Sequence, residues 1–471
     1  MIRPMILEEW GLFIIILKMN KLLESKQILI YVILGVILLT HGLILSKLLF
    51  FPYPELFIYP YLTNHGLTPY SQILDQHFPG LMFLPINFDN LGMNNADIAR
   101  VWLIAIVILT HLLLFYISSQ ILKSKRKALL VNFLYLIWQP FFEGWVLWID
   151  SLLPLLLLPA FFALHKNKIL LCGLLLGLGV VFKQTLIPLS FLVFIYIFWM
   201  RKKSSLRFLL GFLPPILLMI LYFVNIGVIK DFWYWTVVFN LTVYAHSGTQ
   251  IPTSLGFITR VLMVFGFSLF ALLHKDKKLI FTLFIFLIGS LVGVFDRANF
   301  VHFQPALPFA IMATAIGAYS LTKNKIGLLI LCVYSLITIW WQNIFYKGHI
   351  SSKVFFFDES TYAIASKIEE YTNSGDKIFV FGGAPHLYQM SKTLPAGNIF
   401  VFQFSWFLKV AENRILQGLI QDKPQIIVSD RNALIEGVVI KDFAPQVDGY
   451  IQQNYEKIDN VGTVDILKRK K

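Results

Sequence analysis

Negative charge is scarce in this chain. Its 471 residues hold 26 Asp and Glu against 40 Lys and Arg, and only 14% of positions are charged at all. Soluble globular domains carry about 25% charged residues. With 57% apolar residues as well, the composition excludes a water-soluble globule. Cysteine is scarcer still. Cys172 and Cys332 both lie inside apolar runs, with no disulfide framework and no metal-ligand spacing. Internal repeats and a complete phosphate-loop pattern are also missing. The apolar runs lack period-2 alternation, which excludes barrel strands. Since lipid tolerates only helices and closed barrels, the runs are helices.

Those runs recur from Gln27 to about Tyr346, and each needs ~20 residues to cross the hydrocarbon. Basic loops (Lys123–Lys127, Lys166–Lys168, Arg201–Arg207, Lys275–Lys278, Lys323–Lys325) alternate with loops holding only Lys230 and Arg297. The positive-inside rule makes the basic set cytoplasmic. About eleven spans follow, near 27–50, 98–121, 128–142, 149–165, 169–183, 184–200, 207–227, 254–273, 279–295, 303–322 and 326–346. The fifth and sixth are short and meet around Lys183, consistent with tilted or partly re-entrant segments.

The amino end is then inside and the carboxyl end outside. Residues 1–26 form a cytoplasmic or interfacial segment whose apolar stretch is too short to span, with Met1 and Met19 both open as the start. Residues 27–349 make a membrane domain. Residues 350–471 carry 14 basic and 14 acidic residues, so the whole excess of +14 lies before them. Topology explains that excess without a nucleic-acid partner. In the tail, TYAIASKIEEYTNSG has helical spacing, and DKIFVFGG, PQIIVSD and VGTVDILKRK read as strands. This predicts a small α/β domain on the outer face.

The loop 51–97 has no Lys or Arg, yet carries Glu55, Asp75, Asp89 and Asp97 among aromatics and prolines. Pro52 and Pro54 restrain the backbone beside Glu55, which is either a site residue or a solvated loop acid. Asp75 is either a site residue or the turn-forming Asp before Pro79-Gly80. Asp150 opens the fourth span, as a helix N-cap or as a functional carboxylate at a membrane boundary. Lys183 ends a run whose Gly173, Gly177 and Gly179 permit close helix packing. It is placed to snorkel or to bind an anion. Arg297 is the one basic residue of its loop, and His302 follows it as a structural hydrogen-bonder or a ligand. The aromatic loop Lys230–Thr253 suits sugar rings, and an interfacial belt explains the same residues. Together these residues outline an outer cavity with carboxylates for a proton or a metal and cations for a phosphate.

In order along the chain, this pattern resembles the GT-C superfamily of integral-membrane glycosyltransferases, glycosyltransferase family 39 in particular. That family includes protein O-mannosyltransferases and the lipid A aminoarabinose transferase. The segments that carry the likeness are GLTPY (Gly66–Tyr70), DQHFPG (Asp75–Gly80), IDSLLPLLLLPAFFAL, GLLLGLGVVFK, RANFVHFQPALP and FVFGGAPHLYQMSKTLP. Many members carry an Asp-Glu pair after the first helix, where this chain offers Glu55 alone.

The resemblance implies a polytopic α-helical membrane protein that moves a sugar from a polyprenyl-phosphate donor to a glycan, lipid or protein acceptor. The transfer would occur at the outer face of the cytoplasmic membrane. It implies Glu55, Asp75 and Asp150 as catalytic candidates. Lys183, Arg297, His302, His77 and Tyr70 become candidates for substrate or phosphate binding. A divalent metal ion on Glu55 and Asp150 is an open alternative for stabilising the departing phosphate. Two rival readings remain: a non-catalytic flippase or transporter of lipid-linked sugar, and a surface-polysaccharide ligase or polymerase. The absent repeats and the clustering of acids in one loop weigh against the first. The single Arg297 weighs against the second.

Overall fold

The computed structural model describes residues 27–246, 254–294 and 298–471. Segment 1–26, Arg297 and the end of the aromatic loop therefore lie outside the described residues. Helix α1 (Gln27–Lys47) leads into the long loop, which contains the short α2 (Glu55–Asn64). Then follow α3 (Ala96–Ile121), α4 (Lys125–Trp138), α5 (Ile149–His165), α6 (Ile169–Phe182) and α7 (Gln184–Met200). After α8 (Lys202–Asn225) come α9 (Leu255–Leu273), α10 (Lys277–Val294), α11 (Leu307–Leu321) and α12 (Lys325–His349).

Every expected span is one of these helices. Among the described residues six are long and apolar enough to cross a bilayer: α1, α3, α8, α9, α10 and α12. At 1.5 Å per residue α1 reaches about 31 Å, but α6 only about 21 Å, short of a ~30 Å hydrocarbon core. Polar caps fix several starts: the side chains of Asn95, Ser124 and Asn324 accept from Ile98, Lys127 and Gly327 N–H.

Backbone contact, more than side-chain packing, joins α6 to α8. A Cβ at Gly173 would lie 2.2 Å from the Phe208 carbonyl oxygen, and one at Gly177 2.3 Å from that of Phe212. Where α6 ends, Lys183 adopts an extended conformation (φ −154°, ψ 118°) before the chain turns back into α7.

The long loop is a packed structure, with α2 buried from Glu55 to Leu62. Phe51–Pro52 pair in parallel with Val146–Leu147, just before α5. Ile73–Leu74 pair in parallel with Phe400–Val401 of the C-terminal domain. Gly80 sits at φ +44° and donates its N–H to Val181 O (3.0 Å), which anchors the loop on the end of α6.

Residues 229–246 are mostly helical where the sequence reading has a loop, and the ring spacing accounts for it. Phe232, Trp235 and Phe239 fall on one helical face, and Trp235 and Phe239 pack on Phe407 with centroids 5.8 and 5.2 Å away.

The C-terminal domain begins with α13 (Glu359–Tyr371). Its five-stranded sheet comprises β1 (Lys377–Phe381), β2 (Leu394–Pro395), β3 (Ile426–Ser429), β4 (Tyr455–Val461) and β5 (Val464–Arg469), in the order β4-β5-β3-β1-β2. β3–β1–β2 are parallel, and β4 and β5 close the sheet as an antiparallel hairpin. Helix α14 (Ser405–Asp422) crosses between β2 and β3, and α15 (Pro445–Asn454) precedes the hairpin. β4 escapes a sequence reading because YEKIDNV is mostly polar and partly exposed.

Candidate functional site

Asp150 lies in the first turn of α5, one residue past the helix entry, where Trp148 caps without a side-chain bond. It is therefore no N-cap. Both its oxygens accept from the ammonium of Lys183, at 2.7 and 2.5 Å, and Oδ2 also meets His302 Nδ1 at 3.0 Å. Lys183 Nζ and His302 Nδ1 are 3.2 Å apart. All three residues are buried, at 1%, 7% and 8% exposure, so Lys183 does not snorkel. A charge so enclosed persists only when paired and hydrogen-bonded. Three residues far apart in sequence thus form one unit at the α5, α6 and 300–303 junction.

That unit is braced from segments the sequence reading passes over. Gln304 Nε2 donates to Phe142 O (2.6 Å), and Glu143 Oε2 accepts Val301 N–H (3.0 Å), which fixes the turn bearing His302. Glu143 takes a left-handed conformation (φ 52°), and burial pushes its carboxyl up against the pull of the Val301 N–H and Arg260. Its only sequence signal is being the one acid in the 139–149 loop.

The long loop supplies the facing wall. Gln184, next to Lys183, accepts Phe78 N–H (3.0 Å) and donates to Gln76 O (2.9 Å). Asn240 donates to the same Gln76 carbonyl from the aromatic segment (2.9 Å). Asp75 is buried behind this wall at 1% exposure. Its Oδ2 accepts the Tyr59 hydroxyl (2.5 Å), and its Oδ1 accepts the backbone and ring N–H of His77 (2.7 and 2.9 Å). Burial and the Asp75 charge hold the Tyr59 phenol well above its usual pKa, so it stays a donor. The bond to His77 N is the Asx turn that Asp75 offers before Pro79-Gly80. Tyr70 is fully buried, has φ 61°, and donates to His77 O (2.9 Å).

A cavity of about 100 Å³ is lined by Glu55, His77, Trp148, Lys183, His302 and Trp406, among others. Of the expected site residues, Glu55, His77, Lys183 and His302 therefore meet at one space. Asp150 and Asp75 stand one step behind it, holding Lys183 and His77, and Tyr70 shapes the turn. Arg297 lies outside the described residues. Glu55 opens α2, where the helix amino end favours a carboxylate.

Of the two residues expected for a divalent metal, Asp150 is already engaged by a cation. Both oxygens of Asp150 already face the Lys183 ammonium, and among the described residues no three His, Cys, Asp or Glu group as a metal site.

The described chain combines a helical membrane core of short and long apolar helices with a structured first loop and a C-terminal α/β domain, and it is a multi-pass membrane protein. Among solved structures it is similar to the crystal structure of ArnT from Cupriavidus metallidurans bound to undecaprenyl phosphate. The TM-score is 0.60 at 11% identity, covering 93% of this chain and 97% of that one. At that identity the likeness is one of fold. The resemblance drawn from scattered motifs holds at that level. No protein-family model and no curated protein matches the sequence.

Proposed function

We propose that this protein is a membrane glycosyltransferase that moves a sugar from a polyprenyl-phosphate donor to an acceptor at the outer face of the cytoplasmic membrane. The observation that supports it most is the cavity where Glu55, Lys183 and His302 meet. In this reading the acceptor oxygen attacks the anomeric carbon while the bond from that carbon to the phosphate oxygen breaks. The bonding pair leaves on the lipid phosphate, and the acceptor proton passes to the Glu55 carboxylate. Asp150 holds Lys183 so that an ammonium faces the oxygen on which negative charge grows. When His302 Nδ1–H donates to Asp150, two lysine donors serve the carboxylate and the third is directed to the phosphate. Asp75 serves as a positioning residue, fixing His77 and the turn.

The fold likeness to a protein crystallised with undecaprenyl phosphate agrees with a polyprenyl-phosphate donor. The test is release of polyprenyl phosphate from a radiolabelled polyprenyl-phosphate hexose by purified protein in lipid nanodiscs. Turnover that falls at least 100-fold in Glu55→Gln and in Lys183→Met supports the reading. Donor that binds but never reacts, with or without cell-envelope extract as acceptor source, would point to a lipid-sugar handler instead.

A further inference from the structure

A second and larger cavity, of about 480 Å³, lies between the long loop and the C-terminal domain. We infer that it holds the acceptor, and that the acceptor's body is apolar: an acyl or isoprenyl chain bearing the reacting hydroxyl. The inference rests on the transferase reading above and names its second substrate.

The position is one argument. The large cavity and the small Lys183 cavity share Tyr53, Glu55 and Phe404 in their walls, so Glu55 borders both. A group in the large cavity thus reaches the proposed base from a space that Lys183 and His302 do not line. The far wall is the Gly382–Pro385 turn that follows β1, at the carboxyl end of the parallel strands, where open α/β sheets bind ligands. Gly382 is required there: at φ +73° its Cβ would lie 2.2 Å from Asp430 O.

The lining is the other argument. Its volume is that of a small-molecule site, and its walls are dominated by aromatic and aliphatic side chains such as Phe51, Phe356, Phe400 and Phe402. Its polar side chains are largely committed to the protein. Gln403 accepts Gly382 N–H (2.7 Å) and donates to Val380 O, and the Tyr388 hydroxyl accepts Val380 N–H (2.9 Å). A glycan would bury several hydroxyls against these walls without partners, each costing roughly tenfold or more in affinity. An alkyl body gains from the same walls.

The probe is a ten-carbon primary alcohol carrying a diazirine and an alkyne, photolysed with the full-length protein in nanodiscs, with labelled peptides mapped by mass spectrometry. Labelling should concentrate on residues 379–404, be competed by decanol and not by maltotriose, and fall more than tenfold in both Ala384→Trp and Ile435→Trp. Each variant counts only if its thermal transition is retained; Ile435, on a small surface hairpin, guards against misfolding of the first. Labelling confined to the membrane helices, unchanged in both variants, or competed by maltotriose overturns the assignment. Polyprenyl-phosphate binding to the wild-type protein is measured in parallel. If that binding is absent while the cavity labels as expected, the transferase reading fails and the apolar site stands. If it is present while the cavity does not label, only the acceptor assignment fails.

Discussion

Lys183 commits two donors to Asp150 inside a site from which water is nearly excluded. Removing one partner of such a pair leaves a buried charge uncompensated and typically costs about 3–5 kcal/mol. Lys183→Met and Asp150→Asn should each lower thermal stability in detergent, and the double variant should lose clearly less than the two losses combined. Strict additivity would mean the pair is not coupled. The two candidate acids of the long loop, Glu55 and Asp75, separate in the opposite way. Glu55→Gln should cut transfer about 100-fold or more while costing no more than about 1 kcal/mol of stability. Asp75→Asn, which disturbs three hydrogen bonds, should cost about 1–3 kcal/mol of stability and leave residual turnover well above that of Glu55→Gln. Assays of both variants by calorimetry and turnover decide it; the reverse pattern would make Asp75 the base. Lys183, Asp150 and Glu55 were legible as single charges in apolar or aromatic surroundings. That Lys183, Asp150 and His302 form one unit was not, because 33 and 119 residues separate Lys183 from its partners and no local pattern records such a contact.

At the level of elements, the α6–α8 seam is set by glycines that let two backbones touch. Gly177→Leu would drive a side chain into the Phe212 carbonyl, and overpacking of this kind costs about 1–3 kcal/mol or more. Gly35→Ala, in α1 with nothing within 4 Å of its Cβ, should instead be neutral or stabilise by up to ~1 kcal/mol. A thermal-shift comparison of the two checks the seam; equal effects would contradict it. The helical spans were readable because a ~20-residue apolar run has few other fates. The 229–246 segment reads as part of a loop because its rings suit a sugar or an interfacial belt, and nothing local marks them as a packing face. The outcome was settled by Phe407, 168 residues beyond Phe239.

Across the whole molecule, the C-terminal domain is tied to the long loop and not merely tethered behind α12. Phe400 N–H donates to Gln72 O (2.8 Å), Arg414 to Ser71 O (2.6 Å) and the Tyr61 hydroxyl to Thr393 O (3.2 Å). A further tie runs through His386, whose Nε2–H donates to Phe356 O (2.7 Å) in the segment joining α12 to the domain. Burial pushes the His386 imidazole down to about 4, and its Nδ1 is enclosed without a hydrogen-bond partner. In the unfolded chain His titrates near 6.5. Between those values the unfolded state binds more protons, so stability should fall as pH drops from about 6.5 to 4, by ~3 kcal/mol at most, and then level. His386→Gln should flatten that part of the melting-temperature profile; an unchanged slope would exclude His386 as its source. The α/β character of this domain was legible in its short buried strands, but its docking was not, since the parallel pairing of Ile73–Leu74 with Phe400–Val401 spans more than 300 residues.

The central claim is that Glu55 and Lys183 face each other across a donor's anomeric centre. The most direct test gives wild-type protein in nanodiscs a radiolabelled polyprenyl-phosphate hexose together with a hydroxylated alkyl acceptor, and follows the label. The account predicts label in the alkyl product and stoichiometric release of polyprenyl phosphate, both reduced at least 100-fold by Glu55→Gln while donor binding persists. Equal turnover in wild type and Glu55→Gln would contradict it.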